Sequence, residues 1–159
     1  MDLLVGAAIL REIAEFAERF DGLPISPGEL KITLRFPSFD LVFIQPERYD
    51  QRIISHIEFE PGVGFFMEDI VAACCGLDET IHVATPNVSA PSEILSVNEQ
   101  YVREILEFIS KNIVSFTALP PPWFEAAMEI SDKKTRKHLP ELADEDLSRK
   151  WRLLKSWRQ

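Results

Sequence analysis

Apolar residues recur at helical spacing near the start of the chain: Leu3, Ala7, Leu10, Ala14, Ala17 and Phe20, joined by Ile13 and Phe16. Arg11, Glu12, Glu15, Glu18 and Arg19 take the opposite side, so the pattern predicts an amphipathic helix. Asp2 is its expected cap, and Asp21-Gly22 followed by Pro24 its expected stop, glycine being suited to the left-handed conformation that ends many helices. After Ser26-Pro27-Gly28 the period changes to two. Leu30, Ile32, Leu34 and Phe36 alternate with Lys31, Thr33 and Arg35, the pattern of a strand with one dry face. Leu41 to Ile44 is a short apolar run that fits a more buried strand, closing a hairpin across Pro37-Ser38. Alternation returns from Arg52 to Glu60, with Ile53, Ile57 and Phe59 on one side and Ile54, His56, Glu58 and Glu60 on the other.

Beyond the turn at Pro61-Gly62, residues 65–77 fit two templates. Phe66, Ile70, Ala73 or Cys74, and Leu77 suit a helix, while the β-formers of Val63 to Val71 suit a strand paired back across the turn. Thr80 to Thr85 reads as a short strand and Pro86 to Pro91 as a loop. Ser96 and Glu99 match a capping box, with Val102, Ile105, Leu106, Ile109 and Ile113 as the buried stripe of the helix that follows. Pro120-Pro121-Pro122 ends that unit. From Trp123 the chain reads as two or three helical pieces, the last facing inward through Leu147, Trp151, Leu154 and Trp157. The expected fold is α+β: an N-terminal helix, an antiparallel sheet of four or five strands, and C-terminal helices.

Composition sets the class. With 159 residues, 46% apolar and 27% charged, the chain suits one globular domain over 1–159 with a core that needs no staples. The apolar start meets Arg11 too soon for a signal peptide, and no uncharged run approaches the roughly 20 residues of a membrane span. The adjacent pair Cys74-Cys75 fits neither zinc nor redox spacing and reads as small core residues in a reducing, cytoplasmic setting.

Charge is unevenly spread. Residues 1–130 hold 8 Lys and Arg against 21 Asp and Glu, whereas residues 131–159 hold 9 against 5. A net charge of −9 argues against general binding to a phosphate backbone. The basic segment 120–159 reads either as a helix laid back on the acidic body, which its apolar face favours, or as an arm. As an arm, its cations with Trp151 and Trp157 would touch nucleic acid.

Chemistry is sparse. The six glycines form no phosphate-cradling motif and no serine sits in a nucleophile elbow, so no cofactor is implied. His56, Glu58 and Glu60 project from one strand face, where imidazole and carboxylates would share a metal in a hydrolase, with His82 or Asp69 completing the set. The plainer reading is a solvated strand face. Glu47, Asp50, Glu58, Glu60, Glu68 and Asp69, with Asp78 and Glu79, form the expected acidic face, suited to a basic protein partner.

In size, acidity, α+β pattern and lack of a catalytic motif, the chain resembles the cytosolic immunity proteins that bacteria make against secreted polymorphic toxins, many of them nucleases. The resemblance implies a non-enzymatic inhibitor whose partner is a basic toxin domain. Those proteins share no motif, so it assigns no residue a role.

Overall fold

The computed structural model describes residues 6–25, 31–45, 52–75 and 91–159. The elements are α1 (Ala7–Arg19), β1 (Leu23–Ile25), β2 (Lys31–Arg35), β3 (Asp40–Ile44), β4 (Ile54–Glu60), β5 (Val63–Phe66), α2 (Met67–Cys75), α3 (Pro91–Lys111), α4 (Ile113–Thr117), α5 (Phe124–His138) and α6 (Pro140–Arg158). The strands pair antiparallel in chain order, β1-β2-β3-β4-β5. The fold is α+β, with the N-terminal helix, five-stranded sheet and C-terminal helices that the alternation implies. No helix among the described residues is long and apolar enough to cross a membrane.

The two-residue period puts Leu34, Leu41, Phe43, Ile57 and Phe65 on the dry face, all at most 2% exposed. Ile9, Ile13, Phe16 and Ala17 of α1 and Tyr101, Val102, Ile105 and Ile109 of α3 join them in one core. Residues at β3, the middle strand, are buried on both faces: Leu41, Val42 and Phe43. Polar side chains of α3 meet the strand ends. Asn98 Oδ1 accepts from Ile53 N at 3.0 Å, and the Tyr101 hydroxyl, 2.7 Å from Ser55 Oγ, donates to Glu68 Oε1 at 2.8 Å. Burial, then the Glu68 charge, push the Tyr101 phenol far above its usual pKa, keeping it a donor.

Several expectations change. The α1 stripe is Ile9, Ile13, Phe16 and Ala17, with Leu10 at 36% exposure, so the buried face is rotated from the one expected. The cap is Gly6, whose N–H donates to Glu99 Oε1 at 3.0 Å; Asp2 lies outside the described residues. The left-handed residue at the helix end is Asp21 (φ 60°) rather than Gly22. Pro24 does not merely stop the helix; it sits in the short edge strand β1, a position where its missing N–H need not be matched. Ser96 and Glu99 are no capping box, because α3 starts at Pro91, whose fixed φ suits a first turn. Ile113 belongs to α4. The proposed strand 80–85 and most of the loop 86–91 lie outside the described residues.

Up to Cys75 both templates hold in turn: β5 covers Val63–Phe66 and runs without interruption into α2, while Leu77 lies outside the described residues. Gly62 (φ 81°) supplies the left-handed position of the Pro61-Gly62 turn. At Gly64 the reason is contact: a Cβ there would stand 2.2 Å from the Ile57 carbonyl oxygen, where the β4–β5 register shifts between Glu58 and Glu60. Gly64→Ala is therefore expected to lower stability by about 3 kcal/mol, since only backbone could yield. An unchanged urea midpoint would show that the bulge accepts a side chain.

The helices α5 and α6 form a hairpin around the single residue Leu139 and close over the β5 end of the sheet. Phe59, Phe65, Phe124 and Trp157 pack there with ring centroids 5.0–5.7 Å apart in their closest pairs. The inward face of α6 is Ala143, Lys150 and Leu154, with Leu147 and Trp157 partly buried, and Trp151 points outward at 39% exposure. The basic C-terminal helix is thus packed on the body, and Trp151 is not part of its core face.

Candidate functional site

Between the wet face of β4–β5 and the α5–α6 hairpin lies a cleft of about 360 Å³. Its sheet wall is His56, Glu58 and Phe66, with Gly62 of the turn and Val63, Gly64 and Phe65 along β5. Its helix wall comes from one-turn repeats: Ser131, Thr135 and Leu139 on one side, Leu142, Asp146 and Lys150 on the other. Phe66, Leu139 and Leu142 are 53%, 50% and 48% exposed. Single exposed apolar residues are ordinary, whereas three gathered around one concavity make it the candidate site.

The polar groups on the helix wall serve each other. Lys150, 3% exposed, donates to Asp146 Oδ2 at 2.9 Å and Ser131 Oγ at 3.0 Å, and its Nζ lies 4.5 Å from the Phe65 ring centre. Thr135 Oγ1 donates to the Ser131 carbonyl at 2.9 Å. On the sheet wall, His56 Nε2 is 3.4 Å from Glu58 Oε2, and the Phe66 ring stands edge-on to the imidazole. Burial lowers the His56 pKa, outweighing the opposing pull of Glu58, with Lys31 adding a small lowering. Near neutral pH the imidazole is uncharged and leaves the Glu58 carboxylate, one-third exposed, as net negative charge on the cleft wall.

A lowered histidine pKa has a stability consequence. The fold disfavours charged His56, so its contribution is intact above the ordinary value of 6.5 and is lost as pH falls from there through the lower value of the folded state. His56→Gln should therefore gain in melting temperature relative to wild type between about pH 7.5 and about pH 5.5. A pH-independent difference would contradict the burial argument.

The metal candidates do not converge. His56 and Glu58 are neighbours, but the bulge carries Glu60 into the exposed end of β4, opposite Val63. Among the described residues no three His, Cys, Asp or Glu are placed to hold an ion. Asp69, offered as a fourth ligand and as part of an acidic face, lies in the first turn of α2, is 2% exposed and pairs with Lys134 of α5. Glu68 turns toward Tyr101. Glu47, Asp50, Asp78, Glu79 and His82 lie outside the described residues. Cys74, expected in the core, faces outward.

The basic C-terminal segment is largely matched from within. Lys133 pairs with Glu129, Arg136 with Asp132 and Asp144, Arg149 with Glu145, and Arg158 with Glu125. Such exposed pairs add little stability, yet they reduce the positive field a nucleic acid would meet. Trp151, Arg152 and Lys155 border a shallow hollow on the outer side of α6.

Periodicity alone missed the cleft, which joins residues about 80 positions apart. Two local signals do bear on it: the i,i+4 pair Asp146/Lys150 and the apolar residues Leu139 and Leu142 flanking Pro140. The chain matches no protein-family model, no curated protein and no solved structure.

Proposed function

We propose that this protein is a non-enzymatic binding protein that captures a basic protein partner in the cytoplasm, in the manner of a toxin immunity protein, the partner being a nuclease-type toxin domain. The observation that carries this reading is the placement of charge. Cations of α5 and α6 are drawn into pairs with carboxylates of α2, α5 and α6. Glu15 and Glu18 of α1 and Glu60 of β4 are exposed, and Glu58 faces the cleft. A field of that sign speeds encounter with a basic surface and opposes contact with phosphate backbones. The hydrolase alternative needs His56, Glu58 and Glu60 to share one ion, and their separation at the bulge disfavours it.

Tagged protein captured from its native lysate at low and high salt, with nuclease treatment, tests the proposal. One dominant basic protein, retained after nuclease and released as salt rises, is expected. Recovery of nucleic acid alone would overturn the reading.

A further inference from the structure

The cleft combines features that narrow what it can hold. Its rim is apolar through Phe66, Leu139 and Leu142, its buried cation Lys150 is already matched by Asp146, Ser131 and the Phe65 ring, and its outlying charge is the Glu58 carboxylate. An anion would find no uncommitted donor at Lys150 and would meet Glu58. A wholly apolar group would cover that carboxylate without pairing it, at a desolvation cost. The complementary shape is a long apolar stem ending in a cation. Between lysine and arginine, the planar guanidinium is favoured: it pairs with both oxygens of a carboxylate and lies against an aromatic ring, both of which Glu58 and Phe66 offer. A volume of about 360 Å³ suits one such side chain and part of a neighbouring residue.

We propose that this cleft is the anchor of the partner interface, taking an arginine side chain of the basic protein with its guanidinium on Glu58 and its stem and flanking residue against Phe66, Leu139 and Leu142. The proposal rests on reading the chain as a binder of a basic protein. It makes the cleft the centre of the interface and the surrounding acids its steering field, in line with the few desolvated anchors that dominate most interfaces.

The test uses the full chain, isotopically labelled, titrated with a short Leu-Arg-Leu peptide and with the same peptide carrying citrulline, the uncharged isostere of arginine. The arginine peptide is expected to shift the His56, Phe66 and Leu142 resonances saturably. Citrulline in the peptide, or Glu58→Gln in the protein, should weaken binding at least about tenfold. Leu142→Ala, at a half-exposed position, should weaken it with the fold intact. Equal shifts from both peptides, or shifts away from the cleft, would overturn the proposal. The two readings fail separately. A basic partner captured from lysate with no arginine response in the cleft defeats the anchor alone; an arginine-specific response with no basic protein captured leaves an arginine-selective cleft but overturns both the inhibitor reading and the cleft's place in its interface.

Discussion

Leu154→Ala is expected to cost about 3–5 kcal/mol, lowering the melting temperature by about 10 °C or more. Leu154 is 1% exposed in α6, beside the aromatic cluster that joins this helix to the sheet. Truncating it leaves a cavity that Phe59, Phe124 and Trp157, already locked ring to ring, have little freedom to fill. Trp151→Ala, one turn earlier but outward, should change stability by less than about 1 kcal/mol. Removing residues 140–158 altogether would uncover Phe65, Phe59 and Phe124 and is expected to abolish the cooperative urea transition. A truncated chain with an unshifted midpoint would show that the helix is an arm and that the cleft it walls is not a fixed site.

Reversing charge at Glu58 and Glu60 is expected to slow association with the basic partner by about tenfold or more and to flatten its dependence on ionic strength. Both side chains lie at the solvent-reaching end of β4, so the fold should tolerate the change. Asp69 does not belong in that variant, although the sequence places it among the same acids. Its carboxylate is buried beside the half-exposed Lys134, and reversing a buried charge there is expected to destabilise the fold itself. Stopped-flow association at several salt concentrations checks the prediction, and rates equal to wild type would move the interface off this face.

Much of the fold was legible because burial imposes a period. Alternation over 31–35 and 54–58 assigns the correct face to each side chain, since a strand exposes one side to the core and one to solvent, and it fails beyond Glu58 where the bulge interrupts the period. Errors came where another constraint prevailed. Pro24 reads as a breaker and is tolerated because β1 is an edge. The capping-box pattern at Ser96 was local mimicry: Glu99 is spent on the Gly6 N–H, a contact across 93 positions that no local rule anticipates. Trp151 and Lys150 exchange their expected places. A tryptophan at helical spacing looks like core, and a lysine is rarely buried, yet Lys150 is buried because Asp146, Ser131 and the Phe65 ring surround it.

The candidate site was legible only in part. His56 and Glu58 were singled out from one strand face, and they do share a wall of the cleft. Their role looked metal-like because alternation implies convergence with Glu60, which the bulge at Gly64 prevents. The opposite wall depends on how α5 and α6 close over β5, a tertiary arrangement that periodicity does not encode. Local signals yield faces; which faces meet is decided by the core.

The central claim, that this protein captures and silences a basic partner, is tested most directly by titrating it against the activity of the protein recovered by salt-sensitive capture. The account predicts loss of that activity at a one-to-one ratio at low salt, relieved by high salt and by the Glu58 and Glu60 reversal. A partner that stays fully active at saturation, or inhibition indifferent to both salt and the reversal, would contradict it.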